Sequence, residues 1–255
     1  MAKVAVITGA SHRLGAEFAR HFARLDFHVV VHVNASVTEG QSVVDEIEAR
    51  GGKALLVAAD LTTDRGIEDL VRSSLDWSDH VDLLINNASY FAYDFPGAAS
   101  QEIIDISLKL HVLAPFKLIE GFAKRASPDR PLDVFNILDQ KLERYNPDYY
   151  SYTIGKAGLY GLTKLWQASG RRDVRVFGIL PGNMYPSGRQ TMEEFRIAAK
   201  ANLLERAPDP KDFCEAITFF VNHPAMEGQN LPVDAGERLA GRDRDPAYDP
   251  NLVDR

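Results

Sequence analysis

Apolar residues along the chain recur with two periods. Short β-branched or aliphatic runs read as buried parallel strands at 3–7 (KVAVI), 28–33 (HVVVHV), 53–60, 81–88, 132–138, 173–180 and 229–236. Between them the spacing is helical. Leu14, Phe18, Phe22 and Leu25 share one face over 14–25. Val43, Val44 and Ile47 do the same over 37–50, where Gly51 and Gly52 form a stop. Further helices are predicted at 64–77, 101–125, 150–169, 190–204 and 211–222. Strands alternating with helices imply βαβ units and a parallel sheet covered on both faces. The right-handed crossover rule then selects a doubly wound α/β sheet, one domain over residues 1–237. Residues 238–255 carry mixed charge and two prolines, and are expected to be an irregular surface tail or a subunit contact. No repeat of solenoid period is present.

Ligands in such a sheet bind beyond the carboxyl ends of the strands. The first strand ends in Thr8-Gly9-Ala10-Ser11-His12-Arg13-Leu14-Gly15. Gly9 permits a tight turn, Gly15 permits close helix–strand packing, and the following helix start offers free N–H groups to a phosphate. Glycines are common in plain βα turns, so the motif gains meaning only from its place in the βαβ series. Its middle glycine is missing, and Arg13 is positioned for a charge-assisted bond to phosphate. No acidic residue follows the second strand to grip a ribose hydroxyl. His32, Asn34 and Ser36 stand there instead, which favours a 2′-phosphate and hence NADPH over NADH.

Composition narrows the class. The 255 residues are 45% hydrophobic and 25% charged, values of an ordinary globular chain. Net charge is −7, which argues against a nucleic-acid partner. The single Cys214 lies in an apolar helical stretch and reads as a buried, inert thiol in a reducing compartment. No run approaches the roughly 18–20 apolar residues of a membrane span. The opening run reads as a strand and not as a signal peptide, so a cytoplasmic location is expected.

Tyr152 and Lys156 lie four apart on a predicted helix and face the same way. A nearby ammonium favours the phenolate, so Lys156 is expected to lower the tyrosine pKa and make it a usable acid or base. Such a pair occurs by chance in many helices. Here it joins Asn86-Asn87-Ala88-Ser89 after the fourth strand, Asp139 after the fifth and Pro181-Gly182 after the sixth. With these marks in this order, residues 3–236 resemble the short-chain dehydrogenase/reductase family. The resemblance implies a Rossmann-like fold, a nicotinamide cofactor, and hydride transfer with Tyr152 as proton donor and Lys156 holding the ribose. It also implies that Gly9, Ser11, His12, Arg13, Leu14, Asp60, Leu61, Asn87, Ala88, Ser89, Pro181 and Gly182 surround the cofactor, with no metal.

Two positions depart from the family pattern. Asp139 replaces the usual serine thirteen residues before the tyrosine, and His111 replaces the asparagine of the long helix. The second change puts the asparagine-bound water relay in doubt, although a histidine can shuttle protons or sit as an ordinary core residue. A carboxylate repels the oxyanion of a carbonyl reduction but favours a protonated C=N bond. Asp139 therefore favours an N-heterocycle over a ketone; the plainer reading is a strand-end cap. With Phe91 and an aromatic-rich loop after the fourth strand, the chain is similar to pteridine reductases, and to their bacterial dihydromonapterin/dihydrofolate reductase branch. That likeness implies Phe91 stacked on a pterin-like substrate, Ser89 and Arg13 in contact with substrate and cofactor phosphate, a lid over residues 184–190 including Pro186 and Gly188, and a homotetramer. Alternatives are a carbonyl or alcohol reductase of the same family and a non-catalytic NADP-binding sensor; intact Tyr152 and Lys156 argue against the latter.

Overall fold

The computed structural model describes residues 2–187, 190–249 and 252. The seven apolar runs form strands β1 (Val4–Ile7), β2 (His28–Val33), β3 (Ala54–Ala58), β4 (Leu83–Asn86), β5 (Leu132–Ile137), β6 (Val174–Pro181) and β7 (Asn230–Val233). They pair in the order β3-β2-β1-β4-β5-β6-β7, every neighbour parallel. This is a Rossmann-like α/β sheet. The connections reverse direction at the β1/β4 boundary, where such sheets open a crevice at the strand C-termini.

Helices cover both faces: α1 (Arg13–Arg24), α2 (Val37–Glu48), α3 (Asp64–Trp77), α4 (Gln101–Leu108), α5 (Ala114–Ala123), α6 (Tyr150–Gln167), α7 (Met192–Ala198) and α8 (Pro210–Asn222). Strand side chains alternate between two cores, as the pleat requires. Ala5, Ile7, Val29 and Val31 pack with Phe18, Phe22, Val43, Phe213 and Ile217 from α1, α2 and α8. Val4, Val6 and Val30 pack with Leu70, Leu118, Ile119 and Phe122 from α3 and α5. Cys214 is buried in the first core, as expected of an inert thiol. Among the described residues no helix is long and apolar enough to cross a membrane.

Three expectations are corrected. The helix foreseen over 101–125 is interrupted by a π turn at Lys109–Leu113, between α4 and α5. Pro115, in the first turn of α5, has no N–H to continue the ordinary ladder. The helix foreseen over 190–204 shortens to α7. The Asn202 amide donates to the carbonyls of Ala199 and Arg206 at 2.8 Å each and takes the chain out of helix. The tail beyond residue 237, expected at the surface or in a subunit contact, is irregular but carries Asp245 and Pro246 to the main cavity.

Candidate active site

The turn after β1 is built for close approach. Gly9 has φ +63°, and a Cβ there would lie 2.9 Å from the Ala88 Cα. A Cβ on Gly15 would lie 2.2 Å from the Gly9 carbonyl, so α1 can press against the turn only as glycine. α1 begins at Arg13, and its N-cap His12 makes no side-chain cap bond; its ring meets the Ser11 hydroxyl at 2.8 Å instead. The first N–H groups of α1 are thus free of side-chain caps, an anion seat at the positive end of the helix.

Two side chains hold this turn from behind. The Asn87 amide donates to the carbonyls of Thr8 and Gly9 at 2.8 and 3.0 Å, while the Thr8 hydroxyl accepts the N–H groups of Asn87 and Ala88 at 2.9 Å each. His32 is the second. Its Nδ1 accepts the Gly9 N–H at 3.1 Å, so its Nε2 carries the proton and donates to the Ala59 carbonyl at 2.9 Å. Burial lowers its pKa to about 4. This corrects its assignment as a phosphate donor: both ring nitrogens are committed to β1 and β3, and His32 shapes the turn from inside. Asn34 is exposed, and Ser36 caps α2 without a side-chain bond. Asp60 accepts the N–H and hydroxyl of Thr62 at 2.9 and 2.7 Å, and Leu61 is buried. None of these last four residues lines the main cavity.

That cavity measures about 470 Å³ and brings together Gly9, His12, Arg13 and Leu14 with Asn87, Ser89, Phe91, Asp139, Tyr152, Lys156, Pro181 and Gly182. The Tyr152 hydroxyl donates to Asp139 Oδ2 at 2.7 Å. The other oxygen, Oδ1, accepts the Lys141 N–H at 2.8 Å and caps a short 3₁₀ turn, Gln140–Leu142. Asp139 therefore caps a strand exit and engages the tyrosine at once. Lys156 is buried, and its Nζ donates to the Ile137 carbonyl at 2.6 Å. Burial lowers its pKa to about 8, against the opposing charge of Asp139. The tyrosine moves opposite to expectation. Burial first, then the Asp139 charge, push it well above its ordinary value, so Tyr152 is a neutral donor in this state.

The loop after β4 is pinned at three points. Phe91 stacks on Tyr149 at 3.9 Å and meets the Tyr152 ring edge-on at 4.6 Å. Asp94 accepts the Ser151 N–H at 2.9 Å and the Ser151 hydroxyl, placing a carboxylate at the α6 N-terminus. His111, on the π turn, accepts the Tyr90 N–H at 3.2 Å through Nε2, which also lies 3.0 Å from the Ser89 hydroxyl. Burial and the Lys156 charge hold its pKa well below the ordinary value. His111 does not line the cavity. It is a neutral anchor for the loop that presents Ser89 and Phe91.

A profile described as short chain dehydrogenase matches residues 3–196. The chain belongs to the short-chain dehydrogenase family. Dihydromonapterin reductase of Klebsiella pneumoniae is 27% identical to it over 243 residues, which cover 92% of this chain and 96% of that one. The 3-oxoacyl-[acyl-carrier-protein] reductase of Synechocystis is 28% identical over 239 residues, with the same coverage. Among solved structures, FolM alternative dihydrofolate reductase 1 of Brucella canis, complexed with NADP, is 32% identical, with a TM-score of 0.90 over 94% of this chain and 95% of that one.

Two further segments close the cavity of this dehydrogenase. Arg13 spans it: its Nη2 donates to the Pro186 carbonyl at 3.2 Å, and its guanidinium lies 5.7 Å from the Tyr185 ring centroid. Of the segment expected to form a lid, residues 184–187 line the cavity and Gln190 does not; Gly188 lies outside the described residues. The C-terminal segment supplies Glu237, Asp245 and Pro246. No sequence signal marked them, because the segment has neither helical nor strand period. Glu237 accepts the Asn183 N–H at 2.7 Å and the Gln140 amide at 3.2 Å, and burial raises its pKa to about 8.

Proposed function

We propose that this dehydrogenase is an NADPH-dependent reductase that adds hydride to a C=N bond of a pterin-like N-heterocycle of the dihydropterin or dihydrofolate class. The observation that carries this reading is the 2.7 Å bond between the Tyr152 hydroxyl and the Asp139 carboxylate. A carboxylate beside the reacting bond disfavours a carbonyl oxyanion and favours a protonated imine. The names of the Klebsiella and Brucella relatives support the substrate class, and the NADP of the latter supports the cofactor.

The seat fits a dinucleotide phosphate. Gly9 admits close approach, the α1 N-terminus is free of side-chain caps, and Arg13 is within reach. In this reading Ser11, His12, Leu14 and Ala88 flank that seat, Asp60 and Leu61 meet the part of the cofactor that extends outside the main cavity, and Asn34 and Ser36 take the 2′-phosphate. NADPH, when bound, supplies the hydride. Lys156 holds the ribose. Phe91 offers a flat face to the substrate ring, and Ser89 and Arg13 meet its polar edge. Tyr152, kept neutral by burial and by Asp139, gives its proton to the ring nitrogen. One hydride and one proton turn C=N into CH–NH, and the Asp139 carboxylate stabilises the positive charge that passes through the ring.

The test is NADPH oxidation with dihydromonapterin, dihydrobiopterin, dihydrofolate and a panel of ketones. Pterin turnover is expected. Ketone turnover alone would make the chain a carbonyl reductase, the activity named for its Synechocystis relative. Tyr152→Phe should cut kcat by roughly 100-fold or more while NADPH binding persists; retained turnover would remove Tyr152 from the chemistry. Asp139→Ser should harm pterin reduction more than any ketone reduction, and equal loss would refute the charge argument.

A further inference from the structure

Among the described residues three acidic side chains line the cavity: Asp139, Glu237 and Asp245. Two have both oxygens engaged. Asp139 binds the Tyr152 hydroxyl and the Lys141 N–H. Glu237 binds the Asn183 N–H and the Gln140 amide. Asp245 differs. Its Oδ1 accepts the Ala247 N–H at 3.0 Å and closes a turn, whereas its Oδ2 accepts no hydrogen bond from the described residues. Among the described residues the cation paired with Oδ2 is Lys141, whose Nζ stands 3.9 Å away and donates to the Asp148 carbonyl at 2.6 Å.

The placement of Asp245 is over-determined. Asp148 is buried, and its carboxylate accepts Arg244 Nε and Nη2 at 2.8 and 2.7 Å and the Asp245 N–H at 2.8 Å. The Tyr93 hydroxyl, from the loop after β4, donates to the same carboxylate at 3.2 Å. One buried acid thus fastens the C-terminal strap to the loops after β4 and β5, both of which line the substrate side. A bidentate arginine pair is directional, so it fixes the strap's orientation as well as its position. Pro246 follows and stiffens the chain beside the cavity.

A carboxylate oxygen that lines a cavity without a protein donor is free to accept a ligand N–H, and a charged acceptor makes the stronger bond. We propose that Asp245 is a specificity-determining residue that accepts a hydrogen bond from an exocyclic amino group on the substrate's heterocycle. A pterin carries such an amino group; the otherwise similar 2-oxo ring, a lumazine, does not. This inference rests on the pterin reading above and adds to it which edge of the ring is recognised, and by what. A site built to bond an N–H discriminates strongly against an analogue that lacks it.

The test compares the native enzyme with Asp245→Asn, whose side-chain carbonyl can still accept the Ala247 N–H and keep the turn. With dihydropterin as substrate, KM should rise about tenfold, with kcat within about twofold. With the dihydrolumazine both constants should stay within about twofold, as should the Kd for NADPH. Pterin and lumazine binding to the NADP-loaded protein, followed by ligand fluorescence, gives a readout that needs no turnover. Pterin binding that weakens in Asp245→Asn without any native turnover would uphold Asp245 and overturn the reductase reading. Native turnover with equal losses for both rings, or with no loss for either, would overturn Asp245 and leave the reductase reading standing. Failure of the native protein to bind pterin more tightly than lumazine would also overturn the assignment.

Discussion

Burial of His32 holds its pKa at about 4 against an ordinary 6.5. Between those values the unfolded chain binds a proton that the folded chain refuses, so stability falls as pH drops through the window. The loss is at most about 3 kcal/mol. The slope of denaturant-measured stability against pH should therefore flatten over this range in His32→Asn; an unchanged slope would assign the acid sensitivity to other groups. Lys156 titrates at the other end. Its ammonium is lost as pH rises through about 8, and kcat/KM should fall across the same point. The Asp139 charge raises this pKa, so Asp139→Asn should move any residual alkaline limb to lower pH. Between about 8 and 10.5 the unfolded chain holds the proton that folded Lys156 has released. Its contribution to stability therefore rises with pH while activity declines. Tyr152, Lys156 and Asp139 were legible in the sequence, because their spacing, together with the other strand-end motifs, matches the pattern of the short-chain dehydrogenase/reductase family. The direction of the tyrosine shift was not, because it is set by burial that no spacing reveals.

At the scale of elements, α6 and the π turn meet where Gly155 faces His111. Helix propensity alone would have Gly155→Ala stabilise the interior of α6 by up to about 1 kcal/mol. Packing reverses the sign. A Cβ there would lie 2.7 Å from His111 Nδ1 and 3.0 Å from the Ser107 carbonyl. Gly155→Ala should therefore lower stability by about 1–3 kcal/mol in chemical denaturation. It should also disturb the loop that His111 anchors, raising the substrate KM; a stabilised variant would show that the contact yields freely. The strands were readable because a sheet covered on both faces demands continuous apolar runs. The π turn was not. Its apolar residues fit an ordinary helical stripe, and only the packing of Pro115 and His111 shows where the ladder widens.

Across the whole molecule, the cavity is completed by parts far apart in sequence. Asp148 and Arg244 are 96 residues apart, and Thr8 and Asn87 are 79 apart. Ending the chain before Arg242 removes Arg244, Asp245 and Pro246 together. NADPH affinity should stay within about twofold in calorimetry, because the glycine turn is untouched, while the substrate KM rises about tenfold or more. Loss of cofactor binding in that variant would mean the strap supports the entire site. The homotetramer implied by the family resemblance belongs to this scale, and light scattering after size exclusion reads it directly.

The sequence by itself determined the α/β order, the glycine turn after β1, and the trio Asp139, Tyr152 and Lys156. The first two follow from periodicity within an element and from the rule that ligands sit at strand ends; the trio stands out through the family resemblance that its spacing carries. Tertiary structure alone decided that His32 braces the turn and does not greet a phosphate, that His111 anchors a loop, and that an irregular tail delivers Asp245 to the cavity. The physical reason is common to all three. A hydrogen bond between distant residues leaves no mark on local spacing, and it exists only once the sheet has brought its partners together.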